Sequence, residues 1–238
     1  MRKNSALGWI TDVIRHRGAF GALRYYAVAS VEFIRDLLPE RRRSRYGDID
    51  YDFDHGVDTT WATVSLRTRF RELISGAQYQ ASELELFHQI LQALPVSPEG
   101  FTFIDLGSGK GRTLLMASDY PFRRVIGVEL LKELHDVARK NIANYHSDQQ
   151  KCFDLEAISE DARQFEFPAE PFVLYLFNPF PEYVLRSVLE NLRRSLNEVP
   201  REFYVIYHNL VHEDVFRQQL WLRQLHGTHQ FAIYGASR

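Results

Sequence analysis

Apolar residues recur at helical spacing near the start of the chain, at Trp9, Ile10, Val13 and Ile14 and again at Val31, Ile34, Leu37 and Leu38. That period predicts one broken helix or two over residues 5–38, stopped by Pro39. Residues 46–62 carry no sustained period. Helical spacing returns after Ser82-x-x-Glu85, a capping-box pattern ahead of Leu84, Phe87, Leu91 and Leu94, with Pro95 as the stop. From Phe101 the pattern becomes short apolar runs alternating with helical stretches, which predicts βαβ units and a parallel sheet. Strands are expected at 101–106, 125–129, 153–158, 172–177 and 203–207, with two further extended segments near 221–225 and 229–234. The run FVLYLF at 172–177 is apolar throughout, as in a central strand buried on both faces. Between the strands, 131–144 places Leu134, Ala138 and Ile142 on one helical face, and 181–196 does the same with Val184, Leu185, Val188, Leu189, Leu192 and Leu196. Pro181 suits a first helical turn.

Composition narrows the class without changing this picture. The 238 residues are 45% hydrophobic and 25% charged, which excludes disordered, collagen-like and coiled-coil chains. The single cysteine, Cys152, excludes an intramolecular disulfide and a cysteine-based zinc site, and a reducing, cytoplasmic setting is the expectation. Asp12, Arg15 and Arg17 interrupt the candidate signal-peptide stretch, and Arg24 and Glu32 interrupt the richest apolar stretch, 18–34, so neither a signal peptide nor a transmembrane segment is expected. Charge is uneven. Residues 1–45 hold ten Lys/Arg against four Asp/Glu, giving +6 and leaving −8 for the remainder of a chain whose net charge is −2. Arg41, Arg42, Arg43 and Arg45 form a basic run, followed at once by Asp48, Asp50, Asp52, Asp54 and Asp58. This asymmetry divides the chain into an N-terminal helical appendage and lid, 1–80, and a main domain, 81–238. The basic run reads either as a solvated linker or as an arm for an anionic partner such as RNA or a membrane surface.

The chemistry concentrates at Phe103-Ile104-Asp105-Leu106-Gly107-Ser108-Gly109-Lys110-Gly111-Arg112, a strand running directly into alternate glycines. Glycines there allow a sharp strand-to-helix turn and let the backbone approach a nucleotide-like ligand. A Walker A loop is excluded, because Ile104 stands where its first glycine belongs and Gly111 follows the lysine. The dinucleotide fingerprint G-x-G-x-x-G also fails, because position 112 is arginine. That spacing argues against a hydride-transfer enzyme on the same sheet.

The G-x-G-x-G loop, with Asp105 ahead of it and Glu129 ending the next strand, resembles motif I and the following acidic motif of class I S-adenosylmethionine-dependent methyltransferases. The resemblance covers about residues 100–210 and implies a doubly wound, mostly parallel seven-stranded α/β sheet. It also implies S-adenosylmethionine as cofactor. Asp105, Gly107, Ser108, Gly109 and Gly111 would bound its methionine portion, and Glu129 and Leu130 would meet the ribose. Glu129 lies 24 residues after Asp105, close to the roughly 20-residue offset of a ribose-binding acid. Asp161 and Ala162, in Ser159-Glu160-Asp161-Ala162, match the family's adenine-binding turn. Tyr79 and Gln80 fall where such enzymes fold a segment over the cofactor. For Tyr51, Phe53 and Trp61 the readings are a substrate opening or buried packing.

Phe177-Asn178-Pro179-Phe180-Pro181 follows the fourth strand, at whose carboxyl end an open parallel sheet binds ligands. In part it resembles the Asp/Asn-Pro-Pro-aromatic motif of amino methyltransferases, which assigns Asn178, Pro179 and Phe180 to the methyl acceptor. The second proline is missing, so the acceptor stays open among a protein lysine, a small-molecule amine and a nucleic acid. A plain cap for the next helix is the competing explanation of Asn178 and Pro179. The nine histidines show no metal-ligand spacing, so no metal is expected. His208, after the fifth strand, is the histidine best placed for a general base. The expected activity is methyl transfer to an amine nitrogen. The alternative is a non-catalytic, cofactor-binding adaptor that uses its basic arm. Oligomeric state is not legible in the sequence.

Overall fold

The computed structural model describes residues 6–36, 49–60, 64, 68–71, 82–177 and 180–237. The seven expected extended segments form one sheet: β1 (Thr102–Leu106), β2 (Arg124–Glu129), β3 (Leu155–Ser159), β4 (Phe172–Phe177), β5 (Phe203–His208), β6 (Leu222–Gly227) and β7 (Phe231–Ala236). Their order is β3-β2-β1-β4-β5-β7-β6. The pairs β3–β2, β2–β1, β1–β4 and β4–β5 are parallel, while β7 runs antiparallel between β5 and β6. The sheet is therefore doubly wound and mostly parallel, as expected. Strand order reverses at β1 and β4, the adjacent pair whose carboxyl ends open the ligand crevice of such sheets.

The helices are α1 (Ala6–Asp36), α2 (Ile49–His55), α3 (Leu84–Gln92), α4 (Arg112–Ser118), α5 (Lys132–Asn144), α6 (Glu182–Glu198) and α7 (Glu213–Arg217). They cover both faces of the sheet, so β1 and β4 are apolar on both sides. Ile104, Leu174 and Leu176 pack with Leu185, Val188, Leu189 and Leu192 of α6, while Phe103, Val173 and Tyr175 pack with Phe87 and Ile90 of α3 and Leu115 of α4. Pro181 precedes α6 as its cap, one position earlier than the first turn.

Two local expectations need correction. The polar stretch IDYDFDH forms α2, which its hydrophobic pattern did not announce. The capping box at Ser82 is not made: Glu83 occupies the cap without a side-chain bond, and the Ser82 hydroxyl instead lies 3.3 Å from the Tyr175 hydroxyl under the sheet. A local pattern lost to a buried tertiary partner.

Helix α1 is one broken helix. Gly18, at φ 69° and ψ 166°, interrupts it where only glycine is unstrained. The first half turns Trp9 inward onto Val64, Leu131 and Leu134 and buries Val13.

Candidate active site

Residues 107–111 turn between β1 and α4 against the carboxyl end of β2. The N–H groups of Gly107 and Ser108 both donate to the Val128 carbonyl, at 2.8 and 3.1 Å, and Gly111 N–H closes the turn on the Ser108 carbonyl at 2.8 Å. Gly111 sits at φ 82°, and a Cβ there would also stand 3.1 Å from the Ala138 Cβ. Beneath the loop, a Cβ on Gly127 would come within 2.5 Å of Leu114 Cδ1 and 2.7 Å of Ser108 Oγ. Gly127 thus lets the loop lie flat on β2. It is a positional requirement that the motif did not reveal.

Glu129 is buried, with Oε2 accepting the Gly109 N–H at 2.9 Å and Oε1 accepting the Leu131 N–H at 2.7 Å. Burial pushes its carboxyl up, and these backbone donors pull it down. Each oxygen keeps a second lone pair for a further donor. Asp105, also buried, accepts a hydrogen bond from the Thr113 hydroxyl. Desolvation raises its carboxyl to about 7, against the Thr113 bond, and the nearby Glu129 charge adds to the rise. Ser108 Oγ is buried without a hydrogen-bond partner, beneath the loop and against Gly127. Leu130 packs with the cluster around Trp9.

Asp161 lies buried after β3, but its carboxylate is already engaged. Oδ1 accepts from the backbone N–H and Nε of Arg163, both at 3.0 Å, and Oδ2 accepts from Nε at 3.1 Å and Nη2 at 2.7 Å. The remaining Nη1 reaches Asp12 Oδ2 of α1 at 3.1 Å. Ala162 is buried in the core beside Phe165 and Phe167. Next along α1, the His16 ring stacks on Tyr183 at the start of α6, with centroids 4.3 Å apart. The first half of α1 therefore crosses the ligand edge of the sheet, from the residues after β2 to those after β4.

Asn178 and Pro179, together with Trp61, Tyr79 and Gln80, lie outside the described residues. On either side of the first two, Phe177 stacks on His208 at 4.0 Å and Phe180 packs on the core. His208 Nδ1 is 2.7 Å from the Tyr175 hydroxyl, completing a buried chain Ser82–Tyr175–His208. Burial lowers the His208 pKa to about 4, so the ring is neutral at physiological pH. Such a weak base does not take a proton from an amine efficiently. The general-base reading of His208 finds no support in this setting.

The loop's own cations, Lys110 and Arg112, do something the motif left unread. Lys110 Nζ is buried and donates to Asp58 Oδ1 at 2.8 Å and to the Thr60 carbonyl at 2.7 Å. Arg112 Nη1 donates to Thr59 Oγ1 at 3.2 Å, and its guanidinium lies 4.3 Å from the Tyr51 ring centroid. Asp52 Oδ2 accepts the Thr59 and Thr60 N–H groups, at 2.8 and 2.9 Å. Asn141 of α5 ties the pieces together. Its Oδ1 accepts Asp58 N–H, and its Nδ2 donates to the carbonyls of Asp58 and Lys110, all at 2.8–2.9 Å. Residues 51–60 are thus fastened to the back of the glycine loop. Tyr51 is packing rather than an opening, and Phe53 is exposed. Within the acidic run, Asp52 and Asp58 serve this clamp.

Residues 103–198 match the family described as Methyltransferase domain. Over these residues, which run from β1 to the end of α6, the chain has the likeness of a methyltransferase domain. No curated protein matches the chain. Among solved structures, an RNA methyltransferase from Salinibacter ruber in complex with S-adenosyl-L-homocysteine is 22% identical, with a TM-score of 0.45 over 66% of this chain and 92% of its own. A TehB-like S-adenosylmethionine-dependent methyltransferase from Corynebacterium glutamicum is 16% identical, with a TM-score of 0.45 over 72% of this chain and 96% of its own. The 23S rRNA methyltransferase ErmE is 14% identical, with a TM-score of 0.47 over 67% of this chain and 70% of its own.

Proposed function

We propose that this methyltransferase domain transfers the methyl group to an amine nitrogen of a protein or a small molecule. The cofactor would lie between the glycine loop and Glu129. The observation that carries this reading is the bonding of Glu129: Gly109 and Leu131 N–H groups fix its two oxygens in place, and each retains a lone pair for one of two neighbouring hydroxyls. Asp105 holds the start of α4 through Thr113 and adds negative potential where a cationic group would sit. At the adenine turn, Asp161 accepts an amino group only when Arg163 gives up one of its bonds.

When bound, S-adenosylmethionine supplies a methyl group already activated on sulfonium, and the protein's task is mostly alignment and exclusion of water. On the acceptor side Phe177 stacks on His208, and Asn178 would accept a hydrogen bond from the amine. Charge favours an amine over a polyphosphate chain, since the net charge of residues 46–238 is −8 and attracts cations. No general base is assigned. The amine would reach the site already neutral, and the rate would rise with pH along the acceptor's own titration.

The test uses S-adenosylmethionine carrying a labelled methyl, with amine and RNA acceptors in parallel. Label appearing on lysine-containing peptides or small amines, lost in Asn178→Ala while S-adenosylhomocysteine affinity is retained, supports the reading. Label on RNA alone, or full activity of Asn178→Ala, overturns it.

A further inference from the structure

The second half of α1 is amphipathic with the larger apolar residues on the outside. Beyond Gly18, the inward face is made by buried Ala22 and by Tyr25 and Tyr26, both half-buried. Outward stand Phe20, Leu23, Val28 and Val31, at 82%, 69%, 54% and 55% exposure. At 3.6 residues per turn these four occupy a band about 140° wide. Arg24 and Arg35 lie within the same band, both exposed. A helix packed on its own protein turns such a stripe inward, so an outward one marks a contact surface.

We propose that this face is a membrane-contact surface that lies on an anionic lipid headgroup layer. Charge complementarity selects the partner. The first 45 residues carry +6 while the rest of the chain carries −8. An anionic surface therefore attracts the appendage and turns the acidic body away from itself. Leucine, valine and phenylalanine enter the acyl boundary, and arginines on the same face keep their guanidinium groups among the headgroups while their stems follow the apolar layer. RNA fits this surface less well, because three of its four large side chains are aliphatic and offer neither stacking planes nor hydrogen bonds to bases. A second copy would bring two positively charged appendages together. No helix among the described residues is long and apolar enough to cross a membrane, so the contact is along the surface. The proposal is independent of the acceptor's identity.

The full chain should be floated with vesicles of phosphatidylcholine alone and of phosphatidylcholine with about a third phosphatidylglycerol, at low salt. The expected result is binding to the anionic vesicles at least about tenfold tighter than to the neutral ones. Both L23D/V31D and R24E/R35E should weaken it about tenfold or more, with thermal melts unchanged because all four side chains are exposed. Having both variants guards against a misfolded one. Absence of binding, binding unchanged in both folded variants, or concentration-dependent dimers that L23D/V31D abolishes would each overturn the proposal. So would RNA bound through this face in place of lipid.

Discussion

Cutting the Lys110–Asp58 pair from its two sides should cost different amounts, because its partners sit in different surroundings. The lysine side chain is 2% exposed and the aspartate side chain 47%. Lys110→Met removes the ammonium and leaves Asp58 half in water, where hydration replaces much of the lost bond. The residual cost is dominated by the buried Thr60 carbonyl, at about 1–3 kcal/mol. Asp58→Ala instead strips the carboxylate from a buried cation. Breaking a buried pair in that way costs about 3–5 kcal/mol, and the partial exposure of Asp58 places this case near 3. The backbone bonds of Asp58 with Asn141 survive in either variant. Urea unfolding followed by tryptophan fluorescence, with equal m-values as the check on two-state behaviour, gives both numbers. Asp58→Ala should be the more costly, by up to about 2 kcal/mol. A larger cost for Lys110→Met, or losses below about 0.5 kcal/mol in both, would refute the assignment of the clamp as a buried, cation-centred network.

Gly127→Ala should lift the glycine loop off β2, because the new methyl meets Ser108 Oγ and Leu114 within 2.7 Å. A stability loss of about 1–3 kcal/mol with a larger loss of S-adenosylhomocysteine affinity is expected, measured by urea melts and calorimetry. His208, held near pKa 4 when folded and about 6.5 when unfolded, binds protons only in the unfolded state between those values. Stability from this group is therefore present above pH 6.5 and lost as pH falls towards 4, by at most about 3 kcal/mol. Asp105, raised to about 7, acts in the opposite sense, costing stability as pH rises from about 4 to 7. Urea melts of wild type and His208→Phe at pH 7 and 4.5 separate the two, and the variant should lose less on acidification. An identical loss would contradict the neutral, buried setting of His208.

The sheet was readable in the sequence because burial on both faces leaves apolar runs such as FVLYLF, and each run is bounded by the turn residues of a βα connection. The glycine loop and Glu129 were readable because one backbone turn fixes both glycine spacing and acid offset. What escaped notice depends on distance along the chain. Lys110 and Arg112 look like solvated loop cations until Asp58, Thr59, Thr60 and Tyr51, some fifty to sixty residues earlier, are folded against them. Helix α2 escaped for the same reason: Asp52 is used by that clamp, and Tyr51 serves both the clamp and the core. Ser82 shows the converse, a local capping signature overruled by a hydroxyl on β4. Arg163 on Asp161 is a two-residue neighbour whose importance appears only when Asp12 of α1 arrives as its second partner.

The most direct measurement is a calorimetric titration of the whole protein with S-adenosylhomocysteine, with Glu129→Ala alongside and a nicotinamide dinucleotide as competitor. Loss of charge-assisted bonds worth about 1.5–3 kcal/mol each should weaken binding at least tenfold in the variant, and the dinucleotide should not compete. Equal affinity of wild type and Glu129→Ala, or displacement by the dinucleotide, would contradict the placement of the cofactor against Glu129 and the glycine loop.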